Sequence, residues 1–169
     1  MQPGETPSRG EAANLEPELK APLSGRSCVL YALQIREKAG NRWVARAIER
    51  KGRSFLLADG SGGALIAPSD ARLALTFELI PKAEGRDGAP PEQESLLARH
   101  NRDLYPKGFL RGYRFYEAVI VAGQEIEVVG AGIRKSAAAS TSERGYRDAQ
   151  PTVLHVAHST AAPLSIAAR

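Results

Sequence analysis

One cysteine serves the whole chain of 169 residues. Cys28 has no intrachain partner, so a disulfide-stapled scaffold is excluded and a reducing compartment fits. Long apolar runs are missing too. None approaches the ~20 residues that cross a bilayer, and residues 1–20 contain no hydrophobic segment of the kind that forms a secretory leader. Charge of one sign is not in large excess: 23 Lys and Arg face 19 Asp and Glu, a net +4, with a pI near 9.4. Such a balance suits an anionic partner but lacks the dense basic field of a dedicated DNA binder. These absences point to a cytoplasmic, soluble protein.

What the chain does have is ordinary for a globular protein: 43% hydrophobic and 25% charged residues. Residues 1–20 are rich in Pro, Gly, Glu and Ser, and are expected to form a flexible arm. The organised part is expected over residues 21–167, opening at a Pro/Gly/Ser corner that starts at Ala21. Cys28 to Glu37 reads as a central strand, because Val29, Tyr31, Leu33 and Ile35 form one apolar face while Cys28, Leu30 and Ala32 extend the other. Ala39-Gly40-Asn41 turns the chain into a strand from Arg42 to Arg50. Asp59-Gly60-Ser61-Gly62-Gly63 is a hairpin loop of residues that tolerate positive φ, joining strands at Ser54–Asp59 and Gly63–Pro68.

Arg72 to Ile80 alternates, with Leu73, Leu75, Phe77 and Leu79 on one face, which predicts a single half-buried strand. A helix over residues 92–102 has Glu92 and Glu94 in its first turn and Arg99 and Arg102 in its last, matching the helix dipole. Leu96, Leu97, His100 and Leu104 supply its apolar side. Tyr113–Val121 and Gln124–Gly130 are expected to form a hairpin across Ala122-Gly123. Residues 136–150 read as a mobile loop, followed by short strands at Thr152–Ala157 and Leu164–Ala167. The pattern predicts one all-β domain, mainly antiparallel, a small barrel or sandwich with one inserted helix.

Few residues suggest chemistry. Asp59-Gly60-Ser61-Gly62-Gly63 scrambles the protease Gly-Asp-Ser-Gly-Gly order and has neither the elbow spacing of a nucleophilic serine nor a calcium-loop pattern; it reads as a turn. His155 and His158, three apart on a strand, point to opposite faces, so no metal site is expected from them. Cys28 lies inside an apolar strand and reads as a small buried hydrophobe, although Arg26 beside it raises the idea of a reactive thiol. Glu117 shares a side with Phe115 and Val119. Its burial demands a partner, for which Arg26 is the expected one, and the alternative is a general base poised by burial. A basic stretch carries Arg99, Arg102, Lys107, Arg111 and Arg114, interleaved with Tyr105, Phe109 and Tyr113. Such a mixture suits stacking on single-stranded nucleic acid or docking on anionic headgroups, as well as a solvated helix end over packed aromatics.

Pro22-Leu23-Ser24-Gly25-Arg26-Ser27-Cys28 and the strand after it resemble the opening of the GIDE domain, also called BAM, "beside a membrane". Trp43, Phe55–Gly62, Tyr113–Glu117, Ala122–Gly130 and, more weakly, Pro163–Ile166 follow in the family's order. The resemblance implies a bacterial-type stand-alone member. The family's best-known members are organellar ubiquitin ligases in which this domain lies between transmembrane helices and precedes a RING. A RING needs eight Cys and His ligands for two zinc ions, and this chain has one Cys and three His, so ligase activity does not carry over. The expectation is a non-catalytic interaction or adaptor module without cofactor, acting near a membrane through a protein partner. The competing expectation is an oligonucleotide-binding barrel using residues 99–114; a hydrolase has the least support.

Overall fold

The structure is a computed structural model that describes residues 7–15, 17–59, 62–81, 90–102, 112–136, 152–157 and 163–168. Its elements are β1 (Ser8–Asn14), β2 (Leu19–Lys20), β3 (Ser27–Cys28), β4 (Leu30–Ala39), β5 (Arg42–Gly52), β6 (Phe55–Ala58), β7 (Gly63–Ala67), β8 (Arg72–Ala74) and β9 (Glu78–Ile80). After these come α1 (Pro91–Arg99), β10 (Tyr113–Ile120), β11 (Glu125–Val129), β12 (Ala131–Ser136), β13 (Thr152–Ala157) and β14 (Ser165–Ala168). The all-β class with one short helix holds. The chain divides into two compact units where one domain was expected: Met1–Pro17 with Arg53–Leu75 and Ala122–Arg169, and Glu18–Gly52 with Thr76–Val121.

The first unit is an eight-stranded mixed sheet in the order β12-β13-β7-β6-β1-β11-β14-β8. Its described edges are β12 and β8, so it stays open and the barrel expectation is not met. Two of its pairings are parallel, β13 with β7 and β14 with β8. Cross-strand partners such as Ala12↔Leu57, Phe55↔Ile66, Ile66↔Val156 and Val128↔Ile166 place the buried apolar residues on one face. That is the alternation expected of a sheet with one dry side.

The flexible arm expected over residues 1–20 is corrected by β1, which lies between β6 and β11 in the middle of this sheet. Its small residues are what admit it there. Ala12 is buried, and a Cβ built on Gly10 would run into the carbonyl oxygen of Ala58, so close backbone approach selects glycine. The loop expected over residues 136–150 lies outside the described residues, apart from Ser136 at the end of β12.

The second unit is a four-stranded sheet in the order β5-β4-β10-β9, with the small β2–β3 ribbon. β4 is central as expected, and its first residues, Leu30 to Leu33, are buried on both faces. β4 and β5 join through Gly40 and Asn41, with Gly40 at φ 59°. The register shifts between Ile35 and Arg36, where Arg46 is the extra residue of β5. This bulge turns the Arg46 guanidinium onto the buried carboxylate of Glu37 at 3.0 Å. Leu96 and Leu97 of α1 pack with Tyr31, Leu33, Ile35, Tyr113 and Phe115 in the core of this unit.

Three further expectations change. The Arg72–Ile80 strand breaks into β8 and β9, which belong to different sheets, and Phe77 and Leu79 are exposed rather than buried. β10 and β11 do not form a hairpin; β10 pairs with β4 and β9, and β11 with β1 and β14. The helix stops at Arg99, three residues early. Asn101 takes a left-handed φ of 52°, and the amides of Asn101 and Arg102 fold back to the carbonyls of Ala98 and Leu97. This is a Schellman closure with asparagine in the glycine place.

Candidate functional site

The opening motif forms a tight loop between β2 and β3. The Ala21 amide donates to the Arg26 carbonyl and the Gly25 amide to the Ala21 carbonyl, both at 2.9 Å. Gly25 sits at φ 68°, where a Cβ is disfavoured. The loop aims two successive amides at one carboxylate: Leu23 N–H donates to Glu117 Oε1 at 2.9 Å and Ser24 N–H to Oε2 at 3.0 Å. Paired amides of this kind form an anion-binding concavity, and here the anion is an internal side chain that is 0% exposed.

The expected Arg26–Glu117 pair is therefore corrected. Arg26 turns to Ser24 Oγ and to the exposed Glu78, the latter at 3.2 Å. A buried carboxylate can be satisfied by amides, and a long flexible guanidinium is better solvated at the rim. With both oxygens engaged by the backbone, Glu117 ties the loop to β10, and the general-base reading has no geometry behind it.

Cys28 is 1% exposed, its Sγ directed at the Leu19 carbonyl at 3.8 Å. Burial above all, then the nearby Glu117 charge, pushes its thiol up to about 11, against a weaker downward pull from Arg26. A thiol held protonated is no nucleophile at neutral pH, so the buried-hydrophobe reading stands. His100 was expected on an apolar face. Instead its Nε2 lies 3.1 Å from Glu49 Oε2, which Arg99 also approaches at 3.3 Å, while Tyr31 donates its hydroxyl to Glu49 Oε1 at 2.9 Å. Burial and the bond to Glu49 raise the Tyr31 hydroxyl to about 12. Glu49 thus clasps α1 to β5 and β4.

Of the basic-aromatic stretch, Tyr105, Lys107, Phe109 and Arg111 lie outside the described residues. Arg99 is engaged with Glu49, and the Arg102 Nε is buried without a hydrogen-bond partner. Arg114 remains. Its guanidinium lies over the Trp43 ring at 4.3 Å from the centroid, and Arg36 lies over Tyr116 at 4.8 Å. Register puts both pairs on the sheet face opposite α1. One row crosses all four strands of that face, Ile48↔Gln34↔Tyr116↔Leu79. Its two ends are exposed apolar residues, Ile48 at 66% and Leu79 at 52%.

The carboxylates of this sheet keep to one side. The α1 side carries Glu37, Glu49, Glu78 and Glu117, together with Arg42 and Lys51. The opposite face carries Arg36, Lys38, Arg50 and Arg114, with no carboxylate among the described strand residues. A groove of about 290 Å³ opens at its corner, lined by Trp43, Leu79, Pro81, Gly112 and Arg114 among others. Neither Trp43 nor Leu79 announced this surface in sequence, because strands far apart in the chain assemble it. Among the described residues no three His, Cys, Asp or Glu side chains gather as metal ligands, and no helix is long and apolar enough to cross a membrane. No protein-family model, curated protein or solved structure matches the chain.

Proposed function

We propose that the chain is a non-catalytic interaction module that binds a protein partner through the face of the β5-β4-β10-β9 sheet opposite α1. The observation that carries this is the composition of that face: exposed Ile48 and Leu79 at the ends of one cross-strand row, with arginines stacked on Trp43 and Tyr116 between and beside them. Aliphatic, aromatic and arginine side chains together are what protein interfaces are enriched in. The GIDE resemblance supports the same class. The residues that carry it have structural work here, with Gly25 and Ser24 shaping the loop that holds Glu117. It extends the proposal to a cytoplasmic place beside a membrane, reached through the partner.

Oligonucleotide binding through this face is the weaker reading, because base stacking needs free aromatic faces and an arginine already covers one face of the Trp43 and Tyr116 rings. The test is the full chain carrying a photo-crosslinking residue in place of Leu79, activated in the cells that encode it. We expect an adduct with one protein, lost in the Ile48→Glu variant. Adducts with RNA or DNA, or none at all, overturn the proposal.

A further inference from the structure

We infer that the partner docks its chain end in the groove at the corner of this face, an apolar C-terminal residue with its α-carboxylate on Arg114 and Lys38; the inference rests on the interaction-module reading above. Register sets Lys38 opposite Trp43 of β5, and its amide donates to the Gly112 carbonyl at 2.9 Å on the other side. A Cβ built on Gly112 would lie 3.4 Å from Lys38 Cβ and 3.6 Å from Trp43 Cη2. The lysine stem and the indole thus meet over bare backbone. Arg114 lies on the same ring, 4.3 Å from its centroid.

Stacking engages the flat face of a guanidinium and leaves its in-plane N–H donors for a planar oxyanion, which arginine holds bidentately. Among the described residues neither Arg114 nor Lys38 has an ion pair, and the strands of this face carry no carboxylate. Two cations at one indole with no counter-charge beside them ask for an anion from outside.

The groove decides what carries that anion. Leu79, Ile80 and Pro81 line it together with Trp43, Gly112 and Arg114, and its volume is about 290 Å³. That is just below the roughly 300–1,000 Å³ of ordinary ligand pockets, room for one large side chain and not for a strip of peptide. An internal Asp or Glu brings a carboxylate but needs a second residue to fill the apolar part. At a C-terminus one residue supplies both, because the α-carboxylate and the side chain share a carbon. Capture of a terminal carboxylate is an established mode of peptide recognition, and here side-chain cations would do it.

Trp43 is the only tryptophan of the chain, so its indole NMR signal reports occupancy of the groove. The probes are N-acetyl-leucine and N-acetyl-phenylalanine, their C-terminal amides, and phenyl phosphate, each titrated into the full chain. We expect saturable shifts with the two acids, and binding about tenfold or more weaker for the amides and in Arg114→Gln. Arg36→Gln, which removes a cation from Tyr116 outside the groove, should leave the affinity unchanged. Circular dichroism verifies that both variants stay folded. No shift with either acid, or equal binding of acid and amide, overturns the inference. So does phenyl phosphate that binds as tightly as the acids, which would mark a site for a phosphoryl group, or an equal loss in Arg36→Gln, which would mark a diffuse positive field. The partner crosslinked at Leu79 supplies the last arm: deleting its final residue should abolish capture. Capture that survives the deletion overturns the chain-end inference and leaves the interaction module standing, whereas the absence of any protein adduct removes the module and this inference with it.

Discussion

Glu117 Oε1 accepts the amide of Leu23 at 2.9 Å across a sequence separation of 94 residues. With the Ser24 amide on Oε2, this contact anchors the opening loop of the second unit to β10. Hydrogen bonds to a charged group contribute roughly 1.5–3 kcal/mol each. Glu117→Ala is therefore expected to destabilise by about 3–5 kcal/mol. Arg26→Ala breaks a rim pair with Glu78, both side chains well exposed, and a 3.4 Å contact to Ser24 Oγ, and should cost less than about 1 kcal/mol. Urea melts of the two variants discriminate. Equal losses would restore Arg26 as the partner of the buried carboxylate.

Stability should fall in alkali. Cys28 titrates near 11 in the folded protein against an ordinary 9.0, and Tyr31 near 12 against 10.0. Both folded values are raised, so the unfolded chain loses these protons first. The stabilisation is fully present below about pH 9 and is lost as pH climbs through 11 to 12. Each group contributes on the order of 2 kcal/mol to the fall. Cys28→Ala and Tyr31→Phe should each flatten the curve of stability against pH in this range. An unchanged slope in both variants would mean that burial is not what holds these protons.

Gly10→Ala tests the central place of β1. The added methyl meets the Ala58 carbonyl oxygen in the neighbouring strand, and backbone cannot swing aside as a side chain can. A loss of about 1–3 kcal/mol is expected, as for other overpacked sites. Neutral behaviour would be inconsistent with β1 pairing to β6.

On the exposed face, Ile48→Glu and Leu79→Glu should change stability by no more than about 0.5 kcal/mol, because both side chains are largely in water. The same changes should abolish partner capture. A large loss of stability in either would mark the face as internal packing instead of a docking surface.

Much of the strand content was legible. Alternation and turn residues located β4, β5, β6, β7, β10, β11 and β13 within a few residues, because period-two patterning and left-handed glycines act locally. The same local reasoning failed at Arg72–Ile80. Its clean alternation belongs to two strands serving different sheets, and alternation carries no information about which sheet receives it. It failed again at Ser8–Asn14, whose Gly10 and Ala12 resemble linker residues and are in fact the small side chains that a crowded interior strand needs.

The sequence by itself determined the β character, the single helix, the burial of Cys28 and the need of Glu117 for an internal partner. Each follows from a residue's own chemistry or from spacing within a dozen residues. Tertiary structure alone decided that the partner is a pair of amides, which every residue carries and no sequence advertises. It also decided strand order. Register across β5, β4, β10 and β9 gathers Ile48, Gln34, Tyr116 and Leu79 into one row on a face that carries arginine and lysine but no carboxylate among the described strand residues. Pairing between distant strands depends on how all their faces are buried at once, and that is a property of the assembled sheet.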